Sequence, residues 1–206
     1  MAEDKKDKAE ETNTNDLIWG KASSIQGSSS VLSVNNRIYY YVGVTHSSIL
    51  DLTEQIQIVT KKMKVLGIEN EVDPPPVILH IGSYGGSVFA GFAGMDMIKS
   101  NSIPIHTIID GAAASAATLL SVVGYKRSIR KNAYMLIHQL SAGMYGKFEE
   151  LKDAVENYNK LMTTIKQTYI DHARIPKDQL DEILKHDFWL TATESLKFGL
   201  VDEIIE

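Results

Sequence analysis

Residues 77–99 and 105–123 repeat one pattern: a short apolar run, a glycine turn, then a helix of small and apolar residues. The run at 77–81 (VILHI) is almost continuously apolar, which is how a strand covered on both faces reads. A turn at 82–86 and a helix at 87–99 follow it. The second unit has its strand at 105–109 (IHTII), a turn beginning at Gly111 and a helix over 113–123. Strand, glycine turn and helix recurring over roughly 30 residues predict parallel βαβ units with right-handed crossovers, hence an α/β fold.

The flanking segments fit around these units. Residues 37–44 (RIYYYVGV) are β-branched and aromatic and predict a strand. Ser48 can cap a helix running to about residue 66, in which Ile49, Leu52, Ile56, Val59 and Met63 recur at helical spacing. Pro74, Pro75 and Pro76 close the loop that follows. A third strand is expected at 134–138 (YMLIH), a short helix at 177–185 and a closing strand at 200–204.

Between them, 147–170 reads as a long helix. Phe148, Leu151, Val155, Tyr158, Met162, Ile165 and Tyr169 recur in alternating steps of three and four, a sustained heptad stripe. Such a stripe must be buried, either on the chain's own sheet or against another subunit.

Order is expected from about residue 31. The preceding MAEDKKDKAEETNTND segment is polar and lacks an apolar core, so it reads as a solvated tail or a removable propeptide rather than a secretory signal. With 206 residues, 44% of them hydrophobic, residues 31–206 suffice for one domain with a sizeable core. A net charge of -5 leaves no basic surplus to neutralise phosphates, which argues against nucleic-acid binding. No apolar run reaches membrane-spanning length. The absence of cysteine excludes disulfides and thiol catalysis and fits a reducing, cytoplasmic compartment.

Three residues carry candidate chemistry. Ser115 lies just past the turn after a buried strand, at a helix start, where amides are unpaired and the helix dipole is positive. A hydroxyl there can act as a nucleophile, although a serine in a tightly packed small-residue helix is the plainer alternative. Gly85 and Gly86 occupy the same place after the preceding strand, and two glycines let the backbone lie close to a ligand. The amides of Gly86 and Ala116 can then form a pair of oxyanion donors. His138 ends the third strand and belongs at the same carboxyl edge of the sheet. The chain has 6 histidines, however, and pattern alone does not single this one out.

IGSYGGSV at 81–88, GAAASAATLLSVVG at 111–124, MLIHQ at 135–139 and DFWLTATESLKFGLVDEI at 187–204 resemble the Clp protease proteolytic subunit (ClpP) family, in the family's order and near its spacing. The resemblance covers about residues 31–206. It implies a ClpP/crotonase-like βαβ superhelix with a projecting handle helix, and a serine peptidase. Its nucleophile falls on Ser115, its base on His138, its acid on Asp187, and its oxyanion donors on Gly86 and Ala116. Residues 143–146 would be the strand before the handle, so Gly85, Gly143, Met144 and Tyr145 are the expected substrate-binding residues. The family further implies two stacked heptameric rings, polypeptide substrates, an AAA+ Clp ATPase as partner, and no metal or organic cofactor.

The chain departs from the family pattern. Tyr84 stands where a proline is usual before the two glycines, Leu140 where one is usual after His-Gln, and Ala116-Ala117 in place of Met-Gly. No segment before Asn36 matches the axial loop that engages the ATPase. The alternatives are a peptidase of this fold that works without an ATPase (a viral capsid-maturation protease, for example), a crotonase-like acyl-CoA enzyme, and an inactive ring subunit.

Overall fold

The computed structural model describes residues 31–206; the expected tail at 1–30 lies outside the described residues. A mixed sheet forms the centre. Strands β1 (Val31–Val34) and β2 (Arg37–Tyr40) form an antiparallel hairpin, with Asn35 taking the positive φ its tight turn needs. Beyond β2 the order continues through β3 (Val77–Ser83), β4 (Ile105–Ala114), β5 (Lys126–Arg130) and β8 (Glu203–Ile205), all parallel. Strand β6 (Tyr134–Leu136) pairs parallel with the far end of β4, and β7 (Leu190–Thr191) pairs antiparallel with β6.

The expected double coverage of the parallel strands is only partly realised. Ile105, Thr107 and Ile109 of β4 are buried, whereas His106, Ile108 and Asp110 between them are only half-covered. Helices α1 (His46–Asn70), α2 (Val88–Ser100) and α3 (Ala116–Val122) cover the first face. The other carries polar groups. Its His80 is buried beneath the ring of Tyr39 and bonds Asp110, which also receives Arg130.

Helix α1 starts earlier and ends later than expected. Thr45, not Ser48, is its N-cap; Ser48 is the third helical residue, and the two make a reciprocal capping box. At the other end Glu71 takes a left-handed conformation and caps the helix before the prolines. Leu52, Ile56 and Val59 are at most 1% exposed, each contributing roughly 1.5–3 kcal/mol of apolar burial. The small residues of α2 serve close packing: a Cβ on Gly94 would lie 2.5 Å from Leu120 of α3.

Strand β4 corrects the sequence reading most. The chain does not turn at Gly111. It keeps extended pairing to Ala114, with Gly111 at φ 71 inside the strand, and the helix opens only at Ala116. The first half of β4 pairs with β5 and the second with β6.

The long helix α4 (Phe148–His172) is followed by the short α5 (Lys177–Ile183) and α6 (Ala192–Lys197). The heptad stripe on α4 is buried only at one end. Ile165 and Tyr169 are 6% and 2% exposed, while Phe148 and Val155 are 70% and 47% exposed. Its first turns therefore extend past the body of the subunit. Among the described residues no helix is long and apolar enough to cross a membrane.

Candidate active site

Strand pairing brings the candidate residues together. Ala114 is in register with Leu136, and the amide of Ser115 donates to the Leu136 carbonyl at 2.8 Å. Two residues further on, the His138 ring lies beside the Ser115 side chain, with Nε2 2.8 Å from Oγ. Asp187 arrives from the segment between α5 and β7. The antiparallel pairing of Met135 with Leu190 holds that segment at one side, and the Gln139 amide, donating to Leu184 O at 2.7 Å, holds it at the other. Its Oδ1 lies 2.9 Å from His138 Nδ1. A carboxylate only accepts, so Nδ1 carries the proton and Nε2 is left to accept from the serine hydroxyl. Asp187 is exposed on the isolated subunit, with 72% of its side chain accessible, against 23% for His138.

Ser115 occupies the N-cap position of α3 without capping it, because its hydroxyl faces His138 instead of the helix amides. Its backbone is held at φ 55, ψ -130, a region that L-residues seldom adopt and that persists only where the surroundings enforce it. As the first helical residue, Ala116 has an amide with no intrahelical acceptor.

Gly86 completes the arrangement from β3's side. Val44 N donates to Gly85 O and Ser87 N to Val44 O, both at 2.8 Å. This parallel bridge leaves the intervening Gly86 amide directed away from Val44. The two glycines are required here. At φ 92 and φ 149 they lie outside the preferred range of side-chain-bearing residues, and a Cβ on Gly86 would meet Val44 O at 2.3 Å.

A cavity of about 120 Å³ opens beside Ser115 and His138. Gly86, Ala116, Gln139 and Ser141 are among its lining residues, and Val88, Leu119, Ile165 and Tyr169 supply an apolar part of the wall. The walls drawn from α4 were not foreseen as part of the site; Ile165 and Tyr169 read in the sequence only as stripe residues. The expected substrate segment is not a strand. Gly143, Met144 and Tyr145 lie in an exposed, irregular stretch, and none lines the cavity. A lone extended segment needs a partner for its amides, and among the described residues no strand pairs with it.

The remaining histidines lie elsewhere. His80 and Asp110 form a second imidazole–carboxylate pair at 2.6 Å, whose other ring nitrogen is taken by Arg37 at 2.8 Å. His106 stacks on Tyr125, His172 ends α4, and His186 bonds Glu182. Tyr84, the residue in place of the usual proline, packs edge-on against Trp189 with ring centroids 6.3 Å apart.

The family model described as Clp protease matches residues 30–206. The chain is similar to the ATP-dependent Clp protease proteolytic subunit 1 of Chlamydia trachomatis serovar D, 33% identical over 175 residues, covering 83% of this chain and 86% of the relative. It is 30% identical over 145 residues to the ATP-dependent Clp protease proteolytic subunit of Deinococcus radiodurans, covering 69% of this chain and 71% of the relative. Among solved structures, a mutant of ClpP1 from Listeria monocytogenes superposes with a TM-score of 0.71 at 22% identity, covering 83% of this chain and 91% of that one, a likeness of fold. A family model spanning all the described residues, with relatives matched over most of their length, shows that this chain belongs to the Clp protease family, a family of serine peptidases.

Proposed function

We propose that the protein is a serine endopeptidase that cleaves unfolded polypeptides or peptides, with Ser115 as nucleophile, His138 as general base and Asp187 as the group that orients and stabilises the imidazole. The observation that carries this reading is the hydrogen-bonded run from Ser115 Oγ through His138 to Asp187, at 2.8 and 2.9 Å. In the first step Ser115 Oγ attacks the scissile carbonyl carbon while its proton passes to His138 Nε2. The amides of Gly86 and Ala116 donate hydrogen bonds to the negative oxygen. The C–N bond then breaks, and His138 returns the proton to the leaving amine. Water attacks the acyl-enzyme in turn, giving its proton to His138, and Ser115 leaves re-protonated as the carboxylic product departs.

The apolar walls favour an uncharged, apolar side chain on the residue before the cleaved bond. The exposed 143–145 segment is suited to pair with extended substrate as an added strand, which recognises backbone more than sequence. Residues 31–206 act as one peptidase domain. The exposed part of the α4 stripe would be covered by another subunit, in two stacked heptameric rings enclosing the sites in a chamber. The relatives' names describe subunits of an ATP-dependent protease, which supports coupling to an AAA+ Clp ATPase, and the same reading puts the protein in the cytoplasm. Hydrolysis of a fluorogenic peptide and of a denatured protein, each with and without a Clp unfoldase and ATP, tests these parts separately. Peptide cleavage that Ser115→Ala abolishes supports the peptidase. Protein degradation unchanged by unfoldase and ATP removes the coupling.

A further inference from the structure

Thr118 is fully buried one turn into α3, and its hydroxyl lies between two partners. Its Oγ1 is 2.6 Å from the carbonyl oxygen of Ser115 and 2.7 Å from the hydroxyl of Tyr169. A carbonyl oxygen only accepts, so the single Thr118 proton goes to Ser115 and Tyr169 must donate to Thr118. The direction of both bonds is thereby fixed, from Tyr169 to Thr118 to the Ser115 carbonyl. The Thr118 amide reaches the same carbonyl at 2.9 Å, so one residue holds that oxygen twice.

The Ser115 carbonyl and the Ala116 amide are opposite edges of one trans peptide plane. Whatever fixes the oxygen also fixes the direction of the N–H. The tilt of the plane is set by ψ of Ser115, which is -130 at a φ of 55, a combination the residue would not hold unaided. Hydrogen bonds donated to the carbonyl also polarise the peptide and strengthen its N–H as a donor. Burial raises the Tyr169 hydroxyl pKa to about 12, so it keeps its proton throughout the neutral range.

We propose that Thr118 and Tyr169 are positioning residues that aim the Ala116 amide at the oxyanion. Thr118 does not line the cavity, so its role would be exerted through the peptide it bonds. Tyr169 lines the cavity and donates its hydroxyl proton to Thr118 Oγ1 behind it. The inference rests on the reading of Ala116 as an oxyanion donor, and it ties α4 through the Thr118 hydroxyl to the backbone carbonyl of Ser115.

Steady-state hydrolysis of a fluorogenic peptide by the full chain tests it, with Thr118→Val, Thr118→Ser, Tyr169→Phe and the Val/Phe double variant. Thr118→Val keeps shape and loses the hydroxyl; kcat should fall about tenfold, with KM changed less than about twofold, because the amide acts on the transition state. Thr118→Ser restores the hydroxyl and should restore kcat to within about twofold of the parent. Tyr169→Phe should lower kcat by a smaller factor, and the double variant should be no slower than Thr118→Val, since the two hydroxyls act in series. A Thr118→Val enzyme with parental kcat, or Val and Ser variants equally impaired, would overturn the proposal. Should Thr118→Val fail to fold, Tyr169→Phe with parental kcat overturns the role of the chain of hydroxyls. A parent enzyme without Ser115-dependent hydrolysis would instead overturn the peptidase reading.

Discussion

A Cβ placed on Gly85 would lie 2.6 Å from the Cβ of Ser115, so the loop after β3 is pressed against the proposed nucleophile itself. Gly86, beside it, is equally confined by Val44. Neither position tolerates a methyl group without movement of backbone, and the moving backbone carries a proposed oxyanion donor. Gly86→Ala should therefore lower kcat by about 10²-fold or more while costing about 1–3 kcal/mol of stability. Peptide hydrolysis and urea unfolding measured on the same preparation check both. Unchanged kcat would remove Gly86 from the site.

The polar face of the sheet gives a pH signature. Burial by itself raises the Asp110 pKa, but hydrogen bonds from His80, Tyr41 and Arg130 outweigh it and hold the carboxyl down at about 2, from an ordinary 3.8. A group whose folded value is depressed stabilises the fold fully above its unfolded value and loses that contribution as pH falls through the folded one. Asp110→Asn should lower the unfolding midpoint at pH 7, and the gap to the parent should narrow from about pH 4 towards pH 2. Midpoints measured across that range decide it; a gap that widens on acidification contradicts the network's role.

The two ends of the α4 stripe should respond differently to substitution. Ile165 is buried within the subunit, and Ile165→Ala should cost about 2–4 kcal/mol of stability. Phe148 and Val155 are exposed there. Replacing both with serine should leave the subunit's own fold nearly unchanged, yet lower its assembled mass by native mass spectrometry. A full-size particle from that double variant would place the assembly contacts elsewhere.

What the sequence made legible follows from how local each signal is. The apolar run at β3 and the small-residue helix after it are contiguous, and they lie where the pattern put them. Strand β5 was not foreseen, since Lys126, Arg127 and Arg130 break the apolar pattern of a covered strand; these side chains are held by Glu203, Asp202 and Asp110. Gly111 read as a turn because glycine usually marks one, whereas here its positive φ is absorbed within an extended strand. His138 could not be separated from five other histidines by spacing, because its selection depends on register between β4 and β6. The resemblance to a family, not periodicity, supplied it and Asp187. Thr118 and Tyr169 lie 51 residues apart, and no local pattern joins them.

The most direct test of the account is covalent labelling of the full-length protein with a fluorophosphonate probe, followed by mass mapping of the modified peptide. A single adduct on Ser115, absent from Ser115→Ala and strongly slowed in His138→Ala, is the expected result. An adduct on another serine, or labelling of Ser115→Ala at the parental rate, would contradict it.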